Sequence, residues 1–277
     1  MTARLHVMLG DGGVGKTTLA AAYALALAKQ GKHVALLGID PARRLQSALG
    51  LSLEGGVVRV PVTGDLHAAL LLPEATLRRW ATEGIADSAA RTRLLENPLF
   101  AALADRLAAT TDVIAAVRIA EWLESDPLLT DLVVDTAPGR NGIEFLKRPT
   151  ALVDLMHGRL LGWLRRAGES HGIGSRILRG LSHIGGVQIL TDLAELAGAA
   201  ESQFQRVLDR LERAQAALRD PSTEILLVTT VREDAIASTQ TLRDALVEIS
   251  LPPRAVIVNR VIPAAVGAEM SGIERQS

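Results

Sequence analysis

Nine consecutive residues carry the clearest chemistry in the chain: Gly10-Asp11-Gly12-Gly13-Val14-Gly15-Lys16-Thr17-Thr18. They fit the spacing G-x-x-x-x-G-K-[ST], directly after an apolar run and directly before an Ala-rich stretch. Small residues such as Gly12, Gly13, Val14 and Gly15 let successive backbone N–H groups face phosphate oxygens, and the start of the following helix adds its positive dipole. In that frame Lys16 bridges the β- and γ-phosphates of a nucleotide, the Thr17 hydroxyl ligates Mg2+, and Thr18 ends the phosphate-binding run. The same stretch also satisfies G-x-G-x-x-G through Gly10, Gly12 and Gly15, with Asp40 available for a ribose, so dinucleotide binding is the rival reading. Lys16-Thr17-Thr18 decides against it, because a dinucleotide-binding helix packs close to its strand there and needs neither a cation nor two hydroxyls.

Two acidic turns could complete such a site. Asp40 lies in Gly-Ile-Asp-Pro-Ala-Arg-Arg and Asp135 in Leu-Val-Val-Asp-Thr-Ala-Pro-Gly, each after an apolar run. Ligands of open α/β sheets bind beyond the carboxyl ends of strands, where both residues fall. Asp135 could hold Mg2+ through water, as a Walker B carboxylate does, and Asp40 could orient or deprotonate a water near the γ-phosphate. The plain alternative is a turn former or helix N-cap, and Asp-Pro is a common turn initiator. Two such turns in a chain that already carries the glycine loop weaken that alternative. The glycines and proline of Asp135–Gly142 suit a hinge responsive to the γ-phosphate, with Arg140 or Asn141 as a contact. Late in the chain, Val258-Asn259-Arg260 places an amide at a strand tip. Asn259 could read both the donor and the acceptor of an adenine edge, although Asn is common after strands.

The elements that must position these groups read as α/β. The chain has 277 residues, 48% of them apolar and only 3% aromatic, so aliphatic helices must pack on aliphatic strands. Short apolar runs bounded by turn residues mark strands at Leu5–Leu9, His33–Leu37, Leu66–Leu72, Asp131–Val134, Glu224–Thr229 and Ala255–Val258. Helical patterns at Lys16–Gln30 and Asp234–Ile249 alternate with them, which predicts a mainly parallel sheet covered on both faces. Two longer helical stretches, about 73–127 and 149–219, interrupt the alternation and predict a helical subdomain beside the sheet. Their stripes include Leu94, Leu95, Leu99, Leu103 and Leu107 in the first, and Leu152, Leu155, Met156, Leu160 and Trp163 in the second. Core packing explains any one such stripe, and a client surface is the sharper reading. The Gly- and Ser-dotted segment Ile173–Ile189 reads as an apolar lid or a kinked core helix.

Composition also excludes. Formal charge is −1, so nothing draws the whole protein onto nucleic acid or an anionic membrane. With no cysteine there is no disulfide, thiolate metal site or thiol nucleophile. The N-terminal apolar run leads into the glycine loop rather than a cleavage site, and no window reaches the roughly 18 apolar residues of a spanning helix. A cytoplasmic protein with no transmembrane segment is expected.

Taken in order, Gly-Asp-Gly-Gly-Val-Gly-Lys-Thr-Thr, Ile-Asp-Pro-Ala-Arg-Arg-Leu, Val-Asp-Thr-Ala-Pro-Gly-Arg-Asn and Val-Asn-Arg resemble the arsenical-pump and tail-anchored-protein-targeting ATPases, the ArsA-type family. The resemblance runs from about residue 5 to 263, includes Leu208–Thr230, and is nearest to bacterial members that work as pairs of unlike subunits. It implies a P-loop fold of the deviant Walker A class, ATP and Mg2+ as cofactors, Asp40 as the water-activating residue of switch I, Asp135 opening switch II, and Asn259 facing adenine. It further implies a dimer with two nucleotides facing across the interface, whose helical subdomains move on hydrolysis.

Three departures bear on that implication. The family's loop usually carries a lysine at the position of Asp11, reaching across the dimer to the partner's phosphates. Two Asp11 carboxylates near two triphosphates would repel in a symmetric dimer, so a heterodimer with a lysine-bearing partner is favoured over a homodimer. The lack of cysteine disfavours arsenite binding and an interfacial zinc. The chain also stops soon after the Asn259 strand, where relatives often continue. The leading expectation is an ATP-driven dimeric switch that captures or releases an apolar protein or lipid client. A nucleotide-binding regulatory subunit with little hydrolysis of its own is the alternative. A DNA- or membrane-partitioning ATPase fits the near-neutral charge poorly, and a metabolic enzyme would need a second catalytic constellation.

Overall fold

The computed structural model describes residues 3–40, 44–54, 56–62, 64–83, 85–96, 111–139, 142, 146 and 206–261. Strand β1 (Arg4–Gly10) is followed by α1 (Lys16–Lys29), β2 (His33–Gly38), α2 (Arg44–Leu49), β3 (Val58–Arg59) and β4 (Asp65–Leu70). Helices α3 (Pro73–Thr82), α4 (Ser88–Glu96) and α5 (Thr111–Ser125) then precede β5 (Asp131–Asp135). A helical stretch at 206–219 leads to β6 (Glu224–Thr230), α6 (Glu233–Glu248) and β7 (Ala255–Asn259). Contacts divide the chain into a sheet unit, Met1–Leu70 with Leu128–Ile143 and Pro221–Ser277, and a helical unit, Leu71–Pro127 with Glu144–Asp220.

In the sheet unit, seven strands run in the order β3-β4-β2-β5-β1-β6-β7. Every pairing is parallel except that of β3 with β4. The central strands are unbroken apolar runs because both of their faces are covered: Val7, Met8, Leu9, Val34, Leu36, Leu37, Leu132, Val133 and Val134 have essentially no exposed surface. Helix α1 packs on β2 and β5 through Ala20, Ala21, Ala24 and Ala28, side chains short enough to bring its backbone close. Helix α6 covers β6. The outermost strand β7 leaves Val256 and Val258 about half exposed.

The six strands expected from sequence all form, with ends that differ by one or two residues; β4, for example, spans Asp65–Leu70 instead of Leu66–Leu72. Two elements were not anticipated. Strand β3 has two residues, too few for a period, and α2 follows Asp-Pro-Ala-Arg, which reads as a turn.

In the helical unit, the stretch expected near 73–127 contains α3, α4 and α5. Their organising polar group is Glu121, buried on α5. Arg79 donates to its carboxylate at 2.7 Å and Arg118 at 2.6 Å. Arg210 lies 3.2 Å away, and the Trp80 indole N–H also donates to it. Burial alone would raise the pKa of this carboxyl, but the Arg79 and Arg118 hydrogen bonds and charges outweigh it and hold Glu121 below the usual range. Leu99, Leu103 and Leu107 of the first stripe, and all residues of the second stripe and of Ile173–Ile189, lie outside those described.

Candidate nucleotide site

The parallel strands place their carboxyl ends on one edge, and the candidate residues collect there. Met8 of β1 is level with Asp135, and Gly38 of β2 is level with Asp135 from the other side. The glycine loop after β1, Asp40 after β2 and Asp135 at the end of β5 are therefore neighbours. Chain order explains why: from central β1 the chain winds out to β2 and β4 on one side, returns through β5, then crosses to β6 and β7 on the other. Ligands bind at this kind of reversal.

Backbone conformation shapes the loop. Gly13 has φ 79° and Gly15 φ 88°, the left-handed region that glycine alone enters at little cost. Gly15 is the N-cap of α1, with no side chain capping the helix, so its first N–H groups remain donors toward the loop's concave side. A β-carbon on Gly15 would lie 2.3 Å from Asn259 Nδ2, and one on Gly10 would lie 2.4 Å from the Val228 carbonyl oxygen. At Gly10 the obstacle is backbone and cannot give way, whereas at Gly15 a side chain would fit only if the Asn259 amide moved.

Lys16, Thr17, Asp40 and Asp135 are all buried at this edge. Desolvation lowers the Lys16 pKa from the ordinary lysine value, opposed by the charges of Asp135 and Asp40. Burial raises the Asp135 carboxyl above the usual carboxylate range, opposed by the Lys16 charge and the nearby Thr17 hydroxyl. Neither Asp135 oxygen has a hydrogen-bond partner of normal geometry among the described residues. A carboxylate that is 1% exposed and so poorly satisfied beside a hydroxyl and an ammonium is a group built for a further cation. Thr17 and Asp135 together thus fit Mg2+, and the loop with Lys16 fits a triphosphate.

Other candidates have definite partners. Arg44 of α2 approaches Asp40 Oδ2 at 3.5 Å. The Asp11 carboxylate accepts the Gly12 N–H at 2.9 Å, so it folds back on its own loop. Asn259 Nδ2 donates to the Val14 carbonyl at 2.8 Å, and its Oδ1 accepts the Arg260 N–H. Arg140 and Asn141, read from sequence as contacts, lie outside the described residues.

Several groups here escaped the sequence reading. The Thr136 hydroxyl donates to the Met8 carbonyl at 2.7 Å, and Gly139 N–H donates to the Gly10 carbonyl at 2.9 Å. The first ties the loop after β5 to strand β1 and the second ties it to the start of the glycine loop. The Thr230 hydroxyl, buried at the end of β6 and level with Asn259, has no hydrogen-bond partner among the described residues. Arg44 and Thr136 had signals, since each stands within a motif that carries a candidate Asp; Thr230 had none.

A central strand feeding a glycine loop into a helix, with acidic groups at neighbouring strand ends, defines a P-loop fold of the NTPase class. Comparison with known proteins narrows this. The family model described as anion-transporting ATPase matches residues 3–276, and the chain belongs to that family. It is 26% identical over 283 residues to ATPase GET3B of Arabidopsis thaliana, an alignment covering 95% of this chain and 65% of that protein. It is also 26% identical over 262 residues to an arsenical pump-driving ATPase of Acidiphilium multivorum, covering 92% of this chain and 39% of that protein. With ATPase get3 of Schizosaccharomyces pombe it shares 30% over 161 residues, 57% of this chain and 47% of that protein. The chain thus spans less than two thirds of these relatives.

Proposed function

We propose that this chain binds Mg-ATP and hydrolyses it as one subunit of a dimeric switch. The observation that carries the reading is the buried Asp135 carboxylate, both oxygens unsatisfied, beside Thr17 and Lys16 at the mouth of the phosphate loop. In this reading the N–H groups from Gly12 to Thr18 hold the β-phosphate, and Lys16 spans the β- and γ-phosphates. Burial lowers its pKa, and the negative charge of a bound triphosphate would act in the opposite direction, favouring the ammonium form. Thr17 and Asp135 would hold Mg2+, which neutralises charge developing on the phosphoryl oxygens. Asp40 accepts a proton from, or orients, the attacking water, with Arg44 steadying its carboxylate. Asn259 keeps one N–H and one acceptor lone pair beyond the bonds it makes, enough to meet an adenine edge.

The helical unit, Leu71–Pro127 with Glu144–Asp220, is proposed as the part that engages an apolar client and moves with the nucleotide state. Asp11 favours a heterodimer, since no cation stands at that position to serve a partner's phosphates. It also favours a second reading, a regulatory subunit that binds ATP but turns it over slowly.

The test is Mg-ATP hydrolysis by the purified chain beside Lys16→Ala and Asp40→Asn, with oligomeric state measured in ADP and in a non-hydrolysable ATP analogue. Turnover lost in both variants, with analogue-dependent dimerisation, supports a self-sufficient ATPase and removes the need for a lysine-bearing partner. ATP binding without turnover supports the regulatory or partner-dependent reading. Failure of the wild-type chain to bind Mg-ATP would overturn both.

A further inference from the structure

The sheet edge opposite the phosphate loop holds a second cluster of reactive side chains. Strand β2 opens on His33 and β4 on Asp65, and these two residues are partners in the parallel register. Paired residues share a face of the sheet and residues two apart along a strand return to it, so His67 joins them. The Asp65 carboxylate sits between the two imidazoles: Oδ2 meets His33 Nδ1, and Oδ1 lies 3.6 Å from His67 Nδ1. The rings stand edge to face at 5.5 Å. One ligand atom from each of the three residues lies within 4.8 Å of the others. Their side chains are 18%, 46% and 29% exposed for His33, Asp65 and His67, so an ion could enter and keep water.

We propose that His33, Asp65 and His67 form a binding site for a divalent transition-metal ion of the zinc class, separate from the nucleotide site. Two imidazoles with one carboxylate suit zinc, cobalt or nickel, whereas magnesium and calcium demand oxygen ligands. Ligand bonds of about 2.0–2.2 Å on a tetrahedron put ligand atoms about 3.3 Å apart. The 3.6 Å spacing of Asp65 and His67 is close to that, and small χ rotations of these partly exposed side chains would open the His33–Asp65 contact and adjust the third spacing. The donors project from strands locked by continuous pairing from His33–Asp65 to Gly38–Leu70, so the ion would meet a preorganised set and staple β2 to β4.

A purely hydrogen-bonded His–Asp–His cluster is the competing account, and Arg59 separates the two. It is paired with His67 across the antiparallel edge, with Nε 3.9 Å from Asp65 Oδ1. As a member of an ion-paired cluster it stabilises Asp65. Beside a metal ion it is a like charge that weakens binding. Removing it therefore has opposite effects in the two accounts.

The experiment uses the untagged, chelator-stripped, nucleotide-free chain with excess Mg2+ present to occupy hard-cation sites. Co2+ is titrated by visible absorption and Zn2+ by calorimetry and thermal melting. The expected result is one ion per chain, bound at least about tenfold more weakly by His67→Ala and by Asp65→Asn, and several-fold more tightly by Arg59→Gln. Zn2+ should raise the melting temperature of the wild-type chain by a few degrees and leave that of His67→Ala unchanged. Absence of Co2+ absorption bands, binding undiminished in His67→Ala, or no gain in Arg59→Gln would each overturn the proposal. Melts without metal identify variants that fail to fold, and the exposed Arg59→Gln carries the test if His67→Ala or Asp65→Asn does.

Discussion

Gly15→Ala tests the coupling between the phosphate loop and the far edge of the sheet. Gly15 sits at φ 88°, where alanine costs about 1–2 kcal/mol more than glycine. The new β-carbon would lie 2.3 Å from Asn259 Nδ2, well inside contact distance. Asn259 must therefore swing away, losing its 2.8 Å hydrogen bond to the Val14 carbonyl, worth about 1 kcal/mol net. The sum is about 2–3 kcal/mol. If the Asn259 amide is the obstacle, then in an Asn259→Ala background Gly15→Ala should cost only the backbone share, leaving a coupling of about 1 kcal/mol. Urea unfolding of the four nucleotide-free proteins, with midpoints compared at constant slope, measures it. A Gly15→Ala cost below about 0.5 kcal/mol, or the same cost in both backgrounds, would refute the reasoning.

Three further expectations follow the same logic. Gly10→Ala pushes a β-carbon to 2.4 Å from a backbone oxygen of β6, and should lower stability by more than about 2 kcal/mol, read by thermal melting. Glu121→Ala leaves Arg118 and Arg210 without their buried partner and should cost about 3 kcal/mol by urea unfolding. Because the folded-state pKa of Glu121 is depressed, its contribution is present above the unfolded-state value and disappears as pH falls through the folded one; the variant should lose that acid-limb dependence. Asp135 has the opposite sign: its folded-state pKa is raised, so the group favours the folded state in acid and costs stability as pH climbs from the ordinary carboxyl value to the raised one. Asp135→Asn should flatten that portion of the stability profile in Mg-free buffer while abolishing Mg-dependent hydrolysis, measured by phosphate release.

The strands were legible because a doubly covered parallel sheet writes itself as uninterrupted apolar runs, and Leu5–Leu9 or Asp131–Val134 have little else to be. Strand β3 was illegible for the converse reason: two residues, Val58 and Arg59, carry no periodic signal. The phosphate loop was legible because steric demand at Gly10 and positive φ at Gly13 and Gly15 leave few residue choices. What the sequence concealed were contacts set by register between distant strands. The present partners of Asn259, the level placement of Met8, Gly38 and Asp135, and the meeting of His33 with Asp65 all depend on strand order. Local pattern does not encode that order. Asp11 shows a subtler limit: the residue type signals a missing cation, but its hydrogen bond to Gly12 appears only with the loop's conformation.

The bond from the Gly139 amide to the Gly10 carbonyl gives the two loops a shared amide hydrogen, next to the Thr136 bonds to the Met8 carbonyl. One exchangeable hydrogen therefore records whether the loops are latched. In an amide spectrum, that one resonance would distinguish nucleotide states that leave the rest of the sheet silent, and its exchange rate would convert directly into the free energy of unlatching. A single net hydrogen bond of this kind is worth only about 1 kcal/mol, so the Gly139 bond is a small part of what holds the two loops together, beside the Thr136 bonds to Met8.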